Sequence, residues 1–192
     1  MKKNIGLLLM TISLLSACDE SYSPKPRGYF RIEFPEKKYQ LYSSDCPFSF
    51  QHPIYSIVKN DSTDNPQYCW LNVEYPQFNG IIHLSYKAIN KENTLYQLTE
   101  DCRKLTYKHT IKAEGISEFI INKNKENVHG ILYDIKGNTA SSIQFFVTDS
   151  TNHFLRGALY FKEEPRIDSL QPVVDFIHKD INQMLNSLEW KN

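Results

Sequence analysis

Hydrophobic and polar residues along this 192-residue chain change rhythm three times. At the front, Lys2 and Lys3 precede a mainly apolar run from Ile5 to Leu15 that ends in Ser16-Ala17-Cys18. Between Asp19 and Phe34 no helical period is possible, because Pro24, Pro26 and Pro35 block it and Pro-Lys-Pro favours an extended path. Within that stretch Tyr29, Arg31 and Glu33 alternate with Phe30, Ile32 and Phe34, a pattern that could form an edge strand laid on the domain or on a partner. From there on, runs rich in aromatic and β-branched residues predict strands at 48–58, 68–75, 81–87, 116–122, 128–136, 143–149 and 154–161. The polar stretch 59–66 between the first two is expected to be a solvent loop. Turns are expected at 122–127, at Lys136-Gly137-Asn138 and in the four-residue loop 149–152.

Two segments have the helical period instead. Residues 94–105 place Leu95, Leu98, Cys102 and Leu105 on one stripe. At the C-terminus, Asp168 or Ser169 can cap a helix with Pro172 in its first turn. Val173, Ile177, Ile181, Met184 or Leu185, and Leu188 form its apolar face. Trp190 is expected to plug the end of this helix against the core. Short connections favour antiparallel neighbours, so the expected fold is α+β. It comprises a mainly antiparallel sheet of about seven strands, one inserted helix and a C-terminal helix packed on the sheet.

The front end narrows where this domain works. A cationic start, a greasy core and small residues before a cut are the order of a secretory signal. The apolar run of about eleven residues is short of the roughly 20 that span a bilayer. Leu15-Ser16-Ala17-Cys18 resembles the lipobox of bacterial lipoproteins, whose cysteine receives a diacylglyceryl group before cleavage. The plainer alternative is an ordinary signal peptide with an incidental cysteine. On the first reading residues 1–17 are a signal, 18–34 a lipidated N-terminus and spacer, and 35–192 one globular domain. Two or more acyl chains hold a protein on a membrane stably where one does not. The expected location is the cell envelope, with the outer membrane ahead of the inner one. Asp19 and Glu20 lie where sorting rules read, and they leave membrane and face open.

Composition removes some partners and adds a constraint. Lysine plus arginine equals aspartate plus glutamate at 22 each, and no basic stripe is present, which argues against nucleic acid. Beyond Cys18 there are Cys46, Cys69 and Cys102, and an exported protein can keep a disulfide. Cys102 falls on the leucine stripe as a core residue. Cys46 and Cys69 are therefore the candidate bridge, formed or open.

Candidate chemistry is thin. None of the six histidines has the spacing of a metalloprotease pair, no Cys-x-x-Cys or Gly-x-Ser-x-Gly occurs, and no glycine-rich phosphate loop is present. No cofactor or metal is expected. Glu163 and Glu164 precede Pro165 in what reads as a solvated loop. If the protein acted on envelope sugars or peptides, Asp134, Asp149, His153 and His109 would be the residues to use.

A collinear set of segments carries a resemblance. It comprises Pro24-Lys25-Pro26-Arg27-Gly28-Tyr29-Phe30-Arg31-Ile32, Cys46-Pro47-Phe48, Cys69-Trp70, Tyr75-Pro76 and Tyr107-Lys108-His109. Further on come the stretches 144–150 and 153–161, and the closing helix to Trp190. Together they resemble the gliding-motility lipoprotein family GldD of the Bacteroidetes. The resemblance implies a role in gliding along surfaces, beside the type IX secretion machinery and other envelope proteins of that assembly, and it brings no catalytic residues. The element pattern also looks like the Mog1/PsbP-type sandwich, an analogy of fold alone. The leading expectation is thus a non-enzymatic lipoprotein supporting motility. Arg27, Tyr29, Phe30 and Arg31 are its candidate partner contacts, and a ligand-binding or hydrolytic lipoprotein is the alternative.

Overall fold

The structure is a computed structural model that describes residues 31–62, 65–162 and 167–191, with side chains from 169 onward in the last stretch. Turns between consecutive antiparallel strands organise it. After β1 (Tyr39–Ser43), β2 (Phe48–Pro53) and β3 (Ile57–Asn60), the chain pairs β4 (Leu71–Tyr75) with β5 (Gly80–Ala88). A 3-10 turn at Pro76–Phe78 joins that pair, with Asn79 in the left-handed region at φ 52°. Helix α1 (Leu95–Tyr107) then carries the chain across the sheet to its far edge. There β6 (Gly115–Lys123), β7 (Val128–Lys136), β8 (Ser141–Thr148) and β9 (His153–Phe161) fold back strand by strand until β9 meets β5. The β7–β8 turn needs Gly137, whose φ of 102° would strain any side chain.

The outcome is a seven-stranded antiparallel sheet in the order β3-β4-β5-β9-β8-β7-β6 and a three-stranded sheet in the order β1-β2-β10. Helix α2 (Ile167–Ser187) and β10 (Glu189–Trp190) close the chain. The α+β class expected from the sequence is what the structure has.

Alternation within the strands explains the layers. On β8, Ile143, Phe145 and Val147 point to one side and Phe146 to the other, and both sides are buried. The first side forms the main core. Phe48 and Phe50 of β2, Ile82 and Leu84 of β5, Ile177, Ile181 and Met184 of α2, and Leu188 just after that helix fill it at essentially zero exposure. At 25 cal/mol per Å2 each such side chain contributes about 1.5–3 kcal/mol, so this side carries most of the stability. Gly157 of β9 sits where a Cβ would run into the Phe145 ring, so a bare backbone is what lets that ring enter. The second side is smaller: Leu98 and Cys102 of α1 cover Tyr133, Ile135, Phe146 and Phe154. Thr94 caps α1 by accepting the Gln97 N–H while the Gln97 side chain accepts from the Thr94 N–H.

Several boundaries differ from the sequence expectation. The strand expected over 48–58 is two strands in two different sheets, because Pro53 has no N–H to extend the ladder and the chain turns there, Ser56 donating to the Pro53 carbonyl. Lys59 and Asn60 belong to β3 rather than to the solvent loop. Strand β1, at 39–43, is additional. Residues 31–34 are not a strand; they are held by side chains, with Ile32 against the main core and Phe34 stacked on Phe176 at 4.5 Å. Helix α2 begins at Ile167, so Pro172 lies inside it rather than in its first turn. Trp190 does pack against the core, but as a strand residue of β10 paired with Phe48. The signal, Cys18, Arg27, Tyr29, Phe30 and Glu163–Pro165 lie outside the described residues.

Candidate functional site

The most concentrated polar chemistry lies where the chain arriving from the N-terminus joins the body. Asp180 occupies position i+7 from Val173 and i+3 from Ile177, which puts a carboxylate on the apolar stripe of α2. Its side chain has 0% exposure. A buried charge is tolerated only when paired and fully hydrogen-bonded, and Asp180 is. Lys37 Nζ donates to Oδ1 at 2.7 Å, the Tyr39 hydroxyl to Oδ1 at 2.9 Å, and the Tyr55 hydroxyl to Oδ2 at 2.8 Å.

Lys37 is itself gripped. It donates to the Phe176 carbonyl at 2.8 Å and lies over the Phe176 ring at 3.2 Å from the centroid. The ring of Phe34 stacks on that same aromatic, with Phe78 tilted 5.7 Å away, and Gln77 donates to the Glu33 carbonyl at 3.1 Å. Burial lowers the Lys37 pKa and the hydrogen bond and charge of Asp180 oppose it. Burial, reinforced by Asp180, raises the tyrosine hydroxyls of Tyr39 and Tyr55 well above their ordinary range. The two hydroxyls thus keep their protons at neutral pH. The arrangement is a clamp that ties residues 32–39 to the C-terminal helix, and it holds no group poised to leave or to attack.

The cysteines are arranged simply. Cys46 and Cys69 are joined in a disulfide across 23 positions, with Cα atoms 5.6 Å apart. Cys102 is free and buried, and burial pushes its thiol up to about 11, which keeps it protonated and unreactive. Arg31 is exposed and its only described partner is Glu33 at 3.9 Å, a surface pair of negligible worth.

The residues proposed for hydrolysis do not converge. Asp149 caps its own hairpin, accepting the N–H groups of Thr151, Asn152 and His153 at 2.8–3.0 Å and the Thr151 hydroxyl. Its acceptor positions are spent on the turn. His153 stacks on Trp190 at 5.2 Å and bonds the Tyr86 hydroxyl at 2.9 Å. Asp134 pairs with Ile143 near the opposite end of the β7–β8 ladder from Asp149, about 20 Å away at strand rise. His109 sits in a 3-10 turn after α1, beside neither aspartate in the fold's connectivity. Among the described residues no group of His, Cys, Asp and Glu is placed to hold a metal ion. No described helix is long and apolar enough to cross a membrane.

Sequence reading missed the clamp, although one signal was present: a lone Asp on an otherwise apolar helical stripe. Its partners Lys37, Tyr39 and Tyr55 lie more than a hundred residues away in sequence and left no trace there.

Fold and site together define an α+β domain with a side-chain clamp at the entry of its N-terminal segment. The model of the gliding motility lipoprotein GldD matches residues 19–190, and the chain belongs to that family. No curated protein matches it. Among solved structures, the solution structure of cyanobacterial PsbP (CyanoP) from Synechocystis sp. PCC 6803 is similar over 81% of this chain and 94% of that one, at 10% identity and a TM-score of 0.44.

Proposed function

We propose that the protein is a non-enzymatic component that supports the gliding and type IX secretion machinery from the membrane face, held at the outer membrane by acyl chains on Cys18. The observation that carries this reading is the clamp. The segment arriving from the anchor enters the body through Phe34 and Lys37 and is bound to Asp180 and Phe176 in the main core. A pull on the tether is therefore delivered to the best-packed helix instead of to a fraying end. Arg27, Tyr29, Phe30 and Arg31 lie between anchor and clamp and are the proposed contacts with neighbouring envelope proteins.

The acylated protein is to be captured from membranes and compared with Cys18→Ala. Motility and secretion components should accompany the wild type and be lost from the variant; their absence from the wild type sinks the proposal. The contact segment is tested separately by alanine at Arg27, Tyr29, Phe30 and Arg31, with Ile32 and Phe34 retained so that the clamp still forms. Undiminished gliding by that variant removes the contact role.

A further inference from the structure

The disulfide lies beside a groove that the support role leaves unused. Cys69 has a φ of 55°, unusual for a residue with a side chain, and its bond to Cys46 holds it there. The residues on either side are aromatic, and each is fastened by its polar end. The Tyr68 hydroxyl donates to the Asp45 carbonyl at 3.0 Å, and the Trp70 indole N–H donates to the Tyr86 carbonyl at 3.2 Å. Tyr68 remains 65% exposed all the same. A large apolar ring that is both exposed and immobilised is preorganised for contact, since little rotamer freedom is left to lose on binding.

Tyr68 and Trp70 border a groove of about 390 Å3 whose other wall includes Lys87, Asn90 and Asn93. The Asn90 Oδ1 already accepts the N–H groups of Glu92 and Asn93, which leaves its amide N–H2 for a ligand. Trp70 and Lys87 also line a second hollow of about 190 Å3, so the two adjoin at these side chains. This second hollow is also lined by Phe154, Leu98, Asp101 and Arg156. Arg156 donates to a neutral acceptor, Gln144 Oε1, at 2.8 Å. Next to it the Gln144 amide nitrogen is buried without a partner. Among the described residues neither Lys87 nor Arg156 is in an ion pair.

These elements select a ligand class. The negative face of an aromatic ring attracts the row of C–H bonds on one side of a sugar ring. Amide N–H groups bond hydroxyls, and a guanidinium without a counter-ion takes a carboxylate in charge-assisted bonds. A peptide adding as a strand is disfavoured, because on the stretch of β5 that runs past the end of β4 the Tyr86 carbonyl is already taken by the Trp70 indole N–H. We propose that this groove binds a carboxylate-bearing oligosaccharide, with sugar rings on Tyr68 and Trp70 and a carboxylate toward Arg156 and Lys87. The inference goes beyond the support role and does not rest on it.

The test uses the mature acylated protein in detergent micelles with a chelator present. It is titrated with tetragalacturonate and, separately, with neutral maltotetraose, and binding is read by calorimetry and tryptophan fluorescence. Saturable binding of tetragalacturonate is expected, with a Kd on the order of 0.1–1 mM and at least about tenfold preference over maltotetraose. Tyr68→Ala should weaken it about tenfold with an unchanged melting curve, and Lys87→Gln should shrink the preference for the acidic probe. No saturable binding, equal binding of both sugars, or full affinity in Tyr68→Ala overturns the proposal.

Discussion

The two faces of the seven-stranded sheet have been finished in opposite ways. On the face toward α2 and the small sheet, Phe48, Phe50, Ile177, Ile181 and Met184 are closed off from water, and the one charge inside, Asp180, has three donors on its carboxylate. On the face toward α1, a short helix covers only part of the sheet. Among the described residues Lys87 and Arg156 form no ion pair there, and at the rim of the sheet Tyr68 is exposed beside a disulfide. In the first, the buried carboxylate is satisfied internally, which is what stability requires. In the second, polar and aromatic groups are held rigidly and left unsatisfied, which is what recognition requires. The contrast separates residues that keep the domain folded from residues that are free to meet something else.

The contrast can be broken most forcefully at Asp180. Asp180→Ala strands Lys37 and two tyrosine hydroxyls in the clamp, and it should cost about 3–5 kcal/mol in urea unfolding. Lys37→Met with Asp180→Leu should be far milder, since the unpaired charge goes too; if the double variant is as unstable as the single one, the clamp is not an electrostatic unit. Removing the disulfide by Cys46→Ser and Cys69→Ser should cost about 3 kcal/mol for a loop of this size, and it should free Tyr68 to move. A loss below about 1 kcal/mol in chemical denaturation would mean that the loop is held by other contacts.

Two smaller effects sharpen the picture. Burial alone would raise the Asp149 pKa, but the N–H groups of His153, Asn152 and Thr151 hold it below the ordinary carboxylate value. A lowered folded-state pKa contributes stability above the unfolded value near 4 and loses it as pH falls through the folded one. Asp149→Asn should flatten that acid limb, worth on the order of 1 kcal/mol, in melts taken between pH 5 and 2. The tyrosines of the clamp have the opposite sign: raised values contribute below about pH 10 and are lost above it, so Tyr55→Phe should blunt the alkaline limb. Smallest of all is Tyr68→Ala, which should change stability by less than about 0.5 kcal/mol because it fills no core. A larger loss in thermal melts would place Tyr68 on the stabilising side of the comparison.

How much of this could be read in advance depended on the range of the interaction. The leucine stripe of α1 and the apolar face of α2 were plain because i, i+3 and i+4 neighbours share a helix. The strands of the 115–161 meander were plain because alternation and turn residues are local. Strand β10 was not, since two residues, Glu189 and Trp190, carry no period and become a strand only by pairing with Ser49 and Phe48. The division of 48–58 between two sheets was likewise invisible, although Pro53 marked the place. Of the clamp only Asp180 left a mark, and of the groove only Tyr68 and Trp70 did, as aromatics beside a cysteine.

By itself the amino-acid order determined the α+β class, the place of both helices and the buried role of Cys102, and it carries the N-terminal pattern from which a lipid on Cys18 is proposed. Those follow from periodicity and from motifs that are contiguous in the chain. Tertiary structure alone decided that Lys37, Tyr39 and Tyr55 meet Asp180, and that Trp70, Lys87 and Arg156 border one groove. Such groups lie on elements that become neighbours only when the sheet is assembled, and no local energy term in the unfolded chain records their approach.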